Sequence, residues 1–198
     1  MNALLNVGGG SKNIPIPVHY AGWRHDLLDI DPRGNPDVVK DARELHTLPP
    51  ATYDAIYCSH NLEHYHRHHA AQVIRGFHHL LTPEGFAEIH VPDLAAIIRH
   101  VAANNLDLDD QLYLSSAGPI LVRDVFYGYH VEIECSGQEF YAHKTGFSAP
   151  SLARIMLEGG FPLHAIFSRS PFELSGYFFK QTPSPELMTL LKIAPPGT

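Results

Sequence analysis

Two patterns in this 198-residue chain combine residue types that could do chemistry. The first is Gly8-Gly9-Gly10-Ser11, with Asp29 following Gly10 by 19 positions. Glycines at the end of a strand let a ligand approach the main chain where a side chain would block it. An acid at the end of the next strand can accept both hydroxyls of a ribose, and the spacing is close to the roughly 20 residues of nucleoside-binding α/β folds. The second is His60-Asn61-Leu62-Glu63-His64, which spells H-x-x-E-H. On a helix, His60 and His64 would share a face and bind zinc, with Glu63 as general base and Glu132, Glu134 or Glu139 as a further ligand. Against this zinc-hydrolase reading, the segment leaves an apolar strand, which puts His60 in a loop and Glu63 at a helix start. The main expectation is therefore a site without metal, with His66, His68, His69, His78 and His79 as solvated helix positions.

These residues need a scaffold. Ala3–Val7 is an apolar run stopped by glycine, which reads as a buried parallel strand. Pro15 and Pro17 forbid a regular helix behind it. Asp26–Asp31 predicts a second strand closed by Pro32 and Gly34, Asp37–Asp41 a very short third, and Tyr53–Cys58 a fourth that ends in Ser59-His60-Asn61. Ala70, Val73, Ile74, Phe77, Leu80 and Leu81 recur at helical spacing, with Pro83 and Gly85 beyond the end. Gly85–Val91 is a fifth strand, and Asp93 would cap a helix carrying Leu94, Ile97, Ile98 and Val101. Residues 104–147 lose periodicity and read as an inserted flap. Ser148 opens another helix, stopped by Gly159-Gly160, and Leu163–Ser168 and Phe172–Phe179 close the pattern as two strands. Residues 182–198 read as a peripheral tail. The whole is one α/β domain, an open, mostly parallel sheet with an antiparallel edge. The glycines, Asp29, Asp41, Ser59-His60 and Pro92-Asp93 all fall at carboxyl ends of strands, where such sheets bind ligands.

Composition narrows the functions. Fourteen Lys+Arg against 21 Asp+Glu give a net charge of −7, without a basic run, so a nucleic-acid groove is not expected. Protonating the 15 histidines would reverse the sign of that charge. No apolar stretch approaches the roughly 20 residues of a membrane span, and the start lacks a basic n-region, so a cytoplasmic location is expected. Two cysteines, Cys58 and Cys135, form no CxxC pair and read as inert thiols. The run G-G-G-S-K also lacks the helix on which a dinucleotide pyrophosphate would sit, which favours a nucleoside cofactor without phosphates.

The segments "LNVGGGSK", "LLDIDP", "VVKDARELHTLP", "YDAIYCSHNLEHY", "HHLLTPEGFAEIHVPDL" and "HKTGF", in that order, resemble the class I S-adenosylmethionine-dependent methyltransferases over roughly residues 3 to 180. The likeness is to the bacterial, methyltransferase type 11-like branch. It implies a Rossmann-like, mostly parallel twisted sheet of about seven strands with an antiparallel edge strand and helices on the faces. It also implies S-adenosylmethionine as cofactor: Gly8 and Gly10 at its amino-acid part, Asp29 at the ribose hydroxyls, Asp41 with Ala42 at the adenine, and Ser59 with His60 beside the methionine end, with Gly9 and Asp31 as further cofactor-binding residues. Asn6 stands where many members carry an acid, and Glu84 replaces a glycine of the usual Pro-Gly-Gly turn.

Methyl transfer is an in-line displacement, so positioning and water exclusion do most of the work. An O or N acceptor that must lose a proton also needs a base, and His60, His130 and His143 are the candidates. Tyr127, Tyr129 and Lys144 would contact the acceptor, expected to be a small molecule or saccharide. A non-catalytic partner protein on the same fold is the alternative, and the sequence leaves a homodimer open.

Overall fold

The structure, a computed structural model, describes residues 1–115 and 118–194. Seven strands form one sheet: β1 (Ala3–Val7), β2 (Arg24–Asp29), β3 (Val38–Val39), β4 (Tyr53–Ser59), β5 (Leu81–Pro92), and, after an intervening lobe, β8 (Leu163–Ser170) and β9 (Glu173–Phe179). Their order is β3-β2-β1-β4-β5-β9-β8. The first five run parallel, while β9 runs antiparallel to both β5 and β8. The expected fold class is present, with the reversed strand one place in from the edge. The chain steps outward from β1 to β3 and then returns to β4 on the other side of β1, which creates the switch-point crevice.

Side chains alternate cleanly between the two faces. Leu5, Val7, Ile56, Cys58, Ala87, Ile89 and Phe178 point to one face, where α1 (Arg67–Leu80) and α5 (Ala149–Glu158) cover them. The α1 stripe Ala70, Val73, Ile74, Phe77 and Leu80 is fully buried, and each large side chain so buried stabilises by roughly 1.5–3 kcal/mol. Leu4, Ala55, Tyr57, Phe86, Tyr177 and Phe179 point to the other face. No long helix follows β1, in keeping with Pro15 and Pro17. A short turn at Val18–Tyr20 brings Tyr20 onto that face, with Ile16 and Trp23 beside it. The segment read as a peripheral tail carries a short helix in its described part, Pro185–Leu191, and buries Leu191 on the same face.

The flap is more ordered than its lack of periodicity predicted. After α2 (Leu94–Asn104), capped by Asp93 through Ala95 and Ala96, come the hairpin β6 (Gln111–Ser115) and β7 (Gly118–Leu121), then the short helices α3 (Val122–Tyr127) and α4 (His130–Ser136). It has a small core of its own, Ile97, Leu112, Val122 and Val125. Such a patchwork of short elements leaves no sustained period to read.

Candidate active site

A cavity of about 470 Å³ opens at the carboxyl ends of β1, β2 and β4, with the flap on its far side. Gly8, Gly10, Asp29, Asp31, Asp41 and His60 line it, as the sequence reading assigned, together with Asn61, Arg43, His64, Tyr65, Phe140, Tyr141 and Lys144. Two of the glycines are required by neighbours. A Cβ on Gly8, at φ +72°, would overlap the Asn61 amide, and one on Gly9 would overlap Asn6. A Cβ on Gly10 would meet only Ile14, at an ordinary 3.5 Å, but its φ of +67° is one that favours glycine. Asp29 is nearly buried; one carboxylate oxygen accepts from Gly10 N at 2.9 Å and the other from Asp31 N at 2.9 Å. Each oxygen keeps a second lone pair, so the carboxylate is held by main chain yet free to accept ribose hydroxyls.

The other acids are engaged. Asp31 binds Arg33 and accepts from the Tyr141 hydroxyl at 3.0 Å, and the Arg33 hydrogen bonds hold its pKa at about 2. This contact closes the flap over the end of β2. Asp41 binds Arg43 through Nε at 2.9 Å. Ala42 is buried in the core, Gly9 faces Asn6, and Ser59 ends β4; these three do not line the cavity. Lys144 is exposed at the rim, and its amide donates to the Glu63 carbonyl at 2.8 Å.

A second hollow of about 310 Å³ adjoins the first. It is walled by Pro92, Ile97, Tyr113, Val125, Phe172 and Glu173, and His60 lines both spaces. His60 has φ +49°, and the turn after it, Leu62–His64, is a single 3-10 turn. His60 and His64 therefore do not share a helix face as the zinc-hydrolase reading required. Its Nε2 bonds Glu173 at 2.9 Å, and Nδ1 lies 3.5 Å from Glu63. Burial works against the charged ring, but the two carboxylates outweigh it and raise the pKa far above the usual imidazole range. His60 is thus a cation at neutral pH.

His143 and His64 stack edge to face at 4.9 Å beside Glu63. His143 Nδ1 bonds the Val125 carbonyl at 2.8 Å. Of Glu132, Glu134 and Glu139, none joins this group; the residue that does is His143. His130 lies elsewhere. It is clamped by Asp124 at 2.5 Å and lines, with Tyr127 and Glu134, a separate hollow of about 370 Å³ within the flap. Tyr129 precedes α4 and stacks near His130. A wider groove of about 700 Å³ beside α5 and β8 contains none of these residues. Cys58 is buried, which pushes its thiol pKa well up, and Cys135 is exposed.

A family described as a methyltransferase domain matches residues 2–166. The chain belongs to the methyltransferase domain family. The resemblance read from the sequence therefore holds, with an S-adenosylmethionine-dependent enzyme as its consequence. No curated protein matches the chain. Among solved structures, this methyltransferase is similar to a Pyrococcus horikoshii protein (TM-score 0.62, 12% identity, covering 90% of this chain and 82% of that one). It is also similar to a SAM-dependent methyltransferase from Archaeoglobus fulgidus (TM-score 0.56, 14% identity, 89% and 85%). A third is a Burkholderia thailandensis 1,6-didemethyltoxoflavin N1-methyltransferase, solved with that substrate and S-adenosylhomocysteine (TM-score 0.50, 16% identity, 89% and 70%). These likenesses reach the fold. Among the described residues, no helix of this methyltransferase is long and apolar enough to cross a membrane.

Sequence reasoning missed Phe140, Tyr141, Tyr65 and Asn61. Asn61 lies within the H-x-x-E-H motif and Tyr65 directly follows it, and that adjacency was the available signal. Phe140 and Tyr141 reach the cavity only because the flap folds back, 110 positions along the chain from Asp31 to Tyr141.

Proposed function

We propose that the larger cavity takes S-adenosylmethionine and the smaller hollow takes a small acceptor whose O or N atom is methylated at the His60 junction. The observation that carries this reading is the meeting of two cavities at one residue, with a glycine-lined wall and an amide-held carboxylate on the donor side. When bound, the cofactor supplies an electrophilic methyl group. Asp29 grips the sugar with the lone pairs its amide partners leave free. Phe140 and Tyr141 cover the nucleoside and exclude water.

On the acceptor side, Phe172, Tyr113, Pro92 and Ile97 form apolar walls suited to a flat or hydrophobic body. His60 and Glu173 present a fixed cation and an anion at one end, which orient a polar group of the acceptor. An imidazolium bonded to Glu173 and set against the Glu63 carboxylate is a poor proton acceptor, so His60 acts as a positioning group in this reading. The Burkholderia relative is an N1-methyltransferase of 1,6-didemethyltoxoflavin; flat aromatic walls such as Phe172 and Tyr113 suit a planar acceptor better than a saccharide.

Calorimetric titration with S-adenosylhomocysteine tests the donor half. The wild-type protein binds, and Asp29→Ala weakens binding by about 1–3 kcal/mol, the loss of a charged hydrogen-bond acceptor. Unchanged affinity would remove Asp29 from the site, and no binding by the wild type would overturn the reading. Incubation with S-adenosylmethionine and a panel of heteroaromatic and saccharide acceptors, followed by mass spectrometry, tests the acceptor half.

A further inference from the structure

We propose that Glu63, His64 and His143 form a binding site for a divalent transition-metal ion, zinc by the character of its donors, which clasps the flap to the turn after β4. Each of the three offers a donor atom within 4.8 Å of the other two. They come from two distant parts of the chain, the turn at Leu62–His64 and the return of the flap.

Three observations point to a cation. Glu63 is only 1% exposed, and neither of its carboxylate oxygens has a hydrogen-bond partner. A buried carboxylate in that state is costly unless a positive charge sits against it. His60, at 3.5 Å from one oxygen, supplies part of that charge and leaves the other oxygen unengaged. The two rings also each have a backbone carbonyl at Nδ1, the outer partner that metal-bound imidazoles commonly have. His64 Nδ1 faces the Ala142 carbonyl at 3.3 Å, and His143 Nδ1 faces the Val125 carbonyl at 2.8 Å. A carbonyl can only accept, so each ring carries its proton on Nδ1 and keeps the Nε2 lone pair for a metal. Finally, the segment is pinned beforehand: Lys144 N and Thr145 N both donate to the Glu63 carbonyl, at 2.8 and 3.2 Å.

Two imidazoles and a carboxylate suit zinc better than calcium or magnesium, which prefer all-oxygen sites. This set differs from the H-x-x-E-H hydrolase pattern, since Glu63 is a ligand and His60 is not. The ion has a positioning role. It fixes His143, and through the Val125 carbonyl it fixes a wall of the smaller hollow. The site does not depend on the identity of the methyl acceptor or on methyl transfer itself.

The test uses the untagged, full-length protein stripped with a chelator and titrated with Zn²⁺ by calorimetry and with Co²⁺ by visible absorption. One equivalent of zinc binds, Co²⁺ gives the d–d bands of a low-coordinate N/O site, and zinc slows proteolysis within residues 104–147. Glu63→Gln and, separately, His143→Asn weaken zinc binding by at least about a hundredfold and abolish the protection, with unchanged circular dichroism. A triple variant, His66→Asn with His68→Asn and His69→Asn, removes the neighbouring surface histidines, whose rings lie 3.9 to 6.1 Å apart, and keeps the tight equivalent. Binding that survives Glu63→Gln and His143→Asn but disappears in the triple variant overturns the proposal as adventitious histidine capture. Absence of stoichiometric binding to the wild type also overturns it.

Discussion

The two faces of the sheet solve the same problem by different means. The face under α1 and α5 is closed almost wholly by apolar side chains, from Leu5 and Val7 through Ile56, Ile89, Phe77 and Met156. The opposite face has no long helix over β1 and β2, and the chain covers it with Tyr20, Trp23, Phe86 and Tyr177. Among these aromatics sits a buried carboxylate, Glu88, only 2% exposed. It accepts from Tyr20 OH at 2.8 Å, from His19 Nε2 at 2.9 Å and from His90 Nε2 at 2.9 Å. Arg169 can only donate, so its 2.8 Å contact makes His90 Nδ1 the acceptor and leaves the proton on Nε2 for Glu88. Where helices are missing, polar ties replace area. The polar face is consequently the one whose strength depends on protonation.

The largest effect expected from this contrast is on the apolar face. Phe77→Ala removes a fully buried ring between α1 and the sheet, and it should cost about 3–5 kcal/mol in denaturant unfolding, equally at pH 7 and pH 4. A markedly pH-dependent cost would blur the division between the faces.

Next comes the acid limb. Burial alone would raise the Glu88 pKa, but hydrogen bonds from His19, His90 and Tyr20 outweigh it and hold it at about 2. Its pKa is lower folded than unfolded, so its stabilisation is complete above roughly pH 5 and fades as the pH falls toward 2. Stability followed by urea titration from pH 6 to pH 3 should drop, and in Glu88→Gln that drop should be smaller by about 2 kcal/mol. A drop of equal size in the variant would assign acid sensitivity to other carboxylates.

The smallest effect sharpens the picture within the polar face. Tyr20→Phe keeps the ring against Trp23 and Phe86 and removes one donor to Glu88, a loss of about 1–2 kcal/mol at neutral pH. If the loss is near zero, Tyr20 serves only as hydrocarbon cover.

The same division governs what the sequence made legible. The parallel strands, α1 with its stripe, the Asp93 cap and the glycine loop with Asp29 all depend on periodicity or on contacts between consecutive elements, and local patterns report these well. Glu88 and His90 lie at alternate positions of a strand that reads as apolar, and nothing near them in sequence shows that His19 and Tyr20 return to meet them. The lining of the larger cavity was legible because each strand end that borders it carries its own residue. The smaller hollow and the Glu63-His64-His143 group were not, because they arise where the flap comes back onto the sheet. His143 was singled out for its residue type, and its neighbours are a product of topology.

The path of the flap has one further consequence. A single stretch of chain provides Phe140 and Tyr141 at the larger cavity and Tyr113 and Val125 beside the smaller hollow. Tyr141 is tied to Asp31 by its hydroxyl, so a displacement of that contact would be carried along the same stretch to the wall of the smaller hollow.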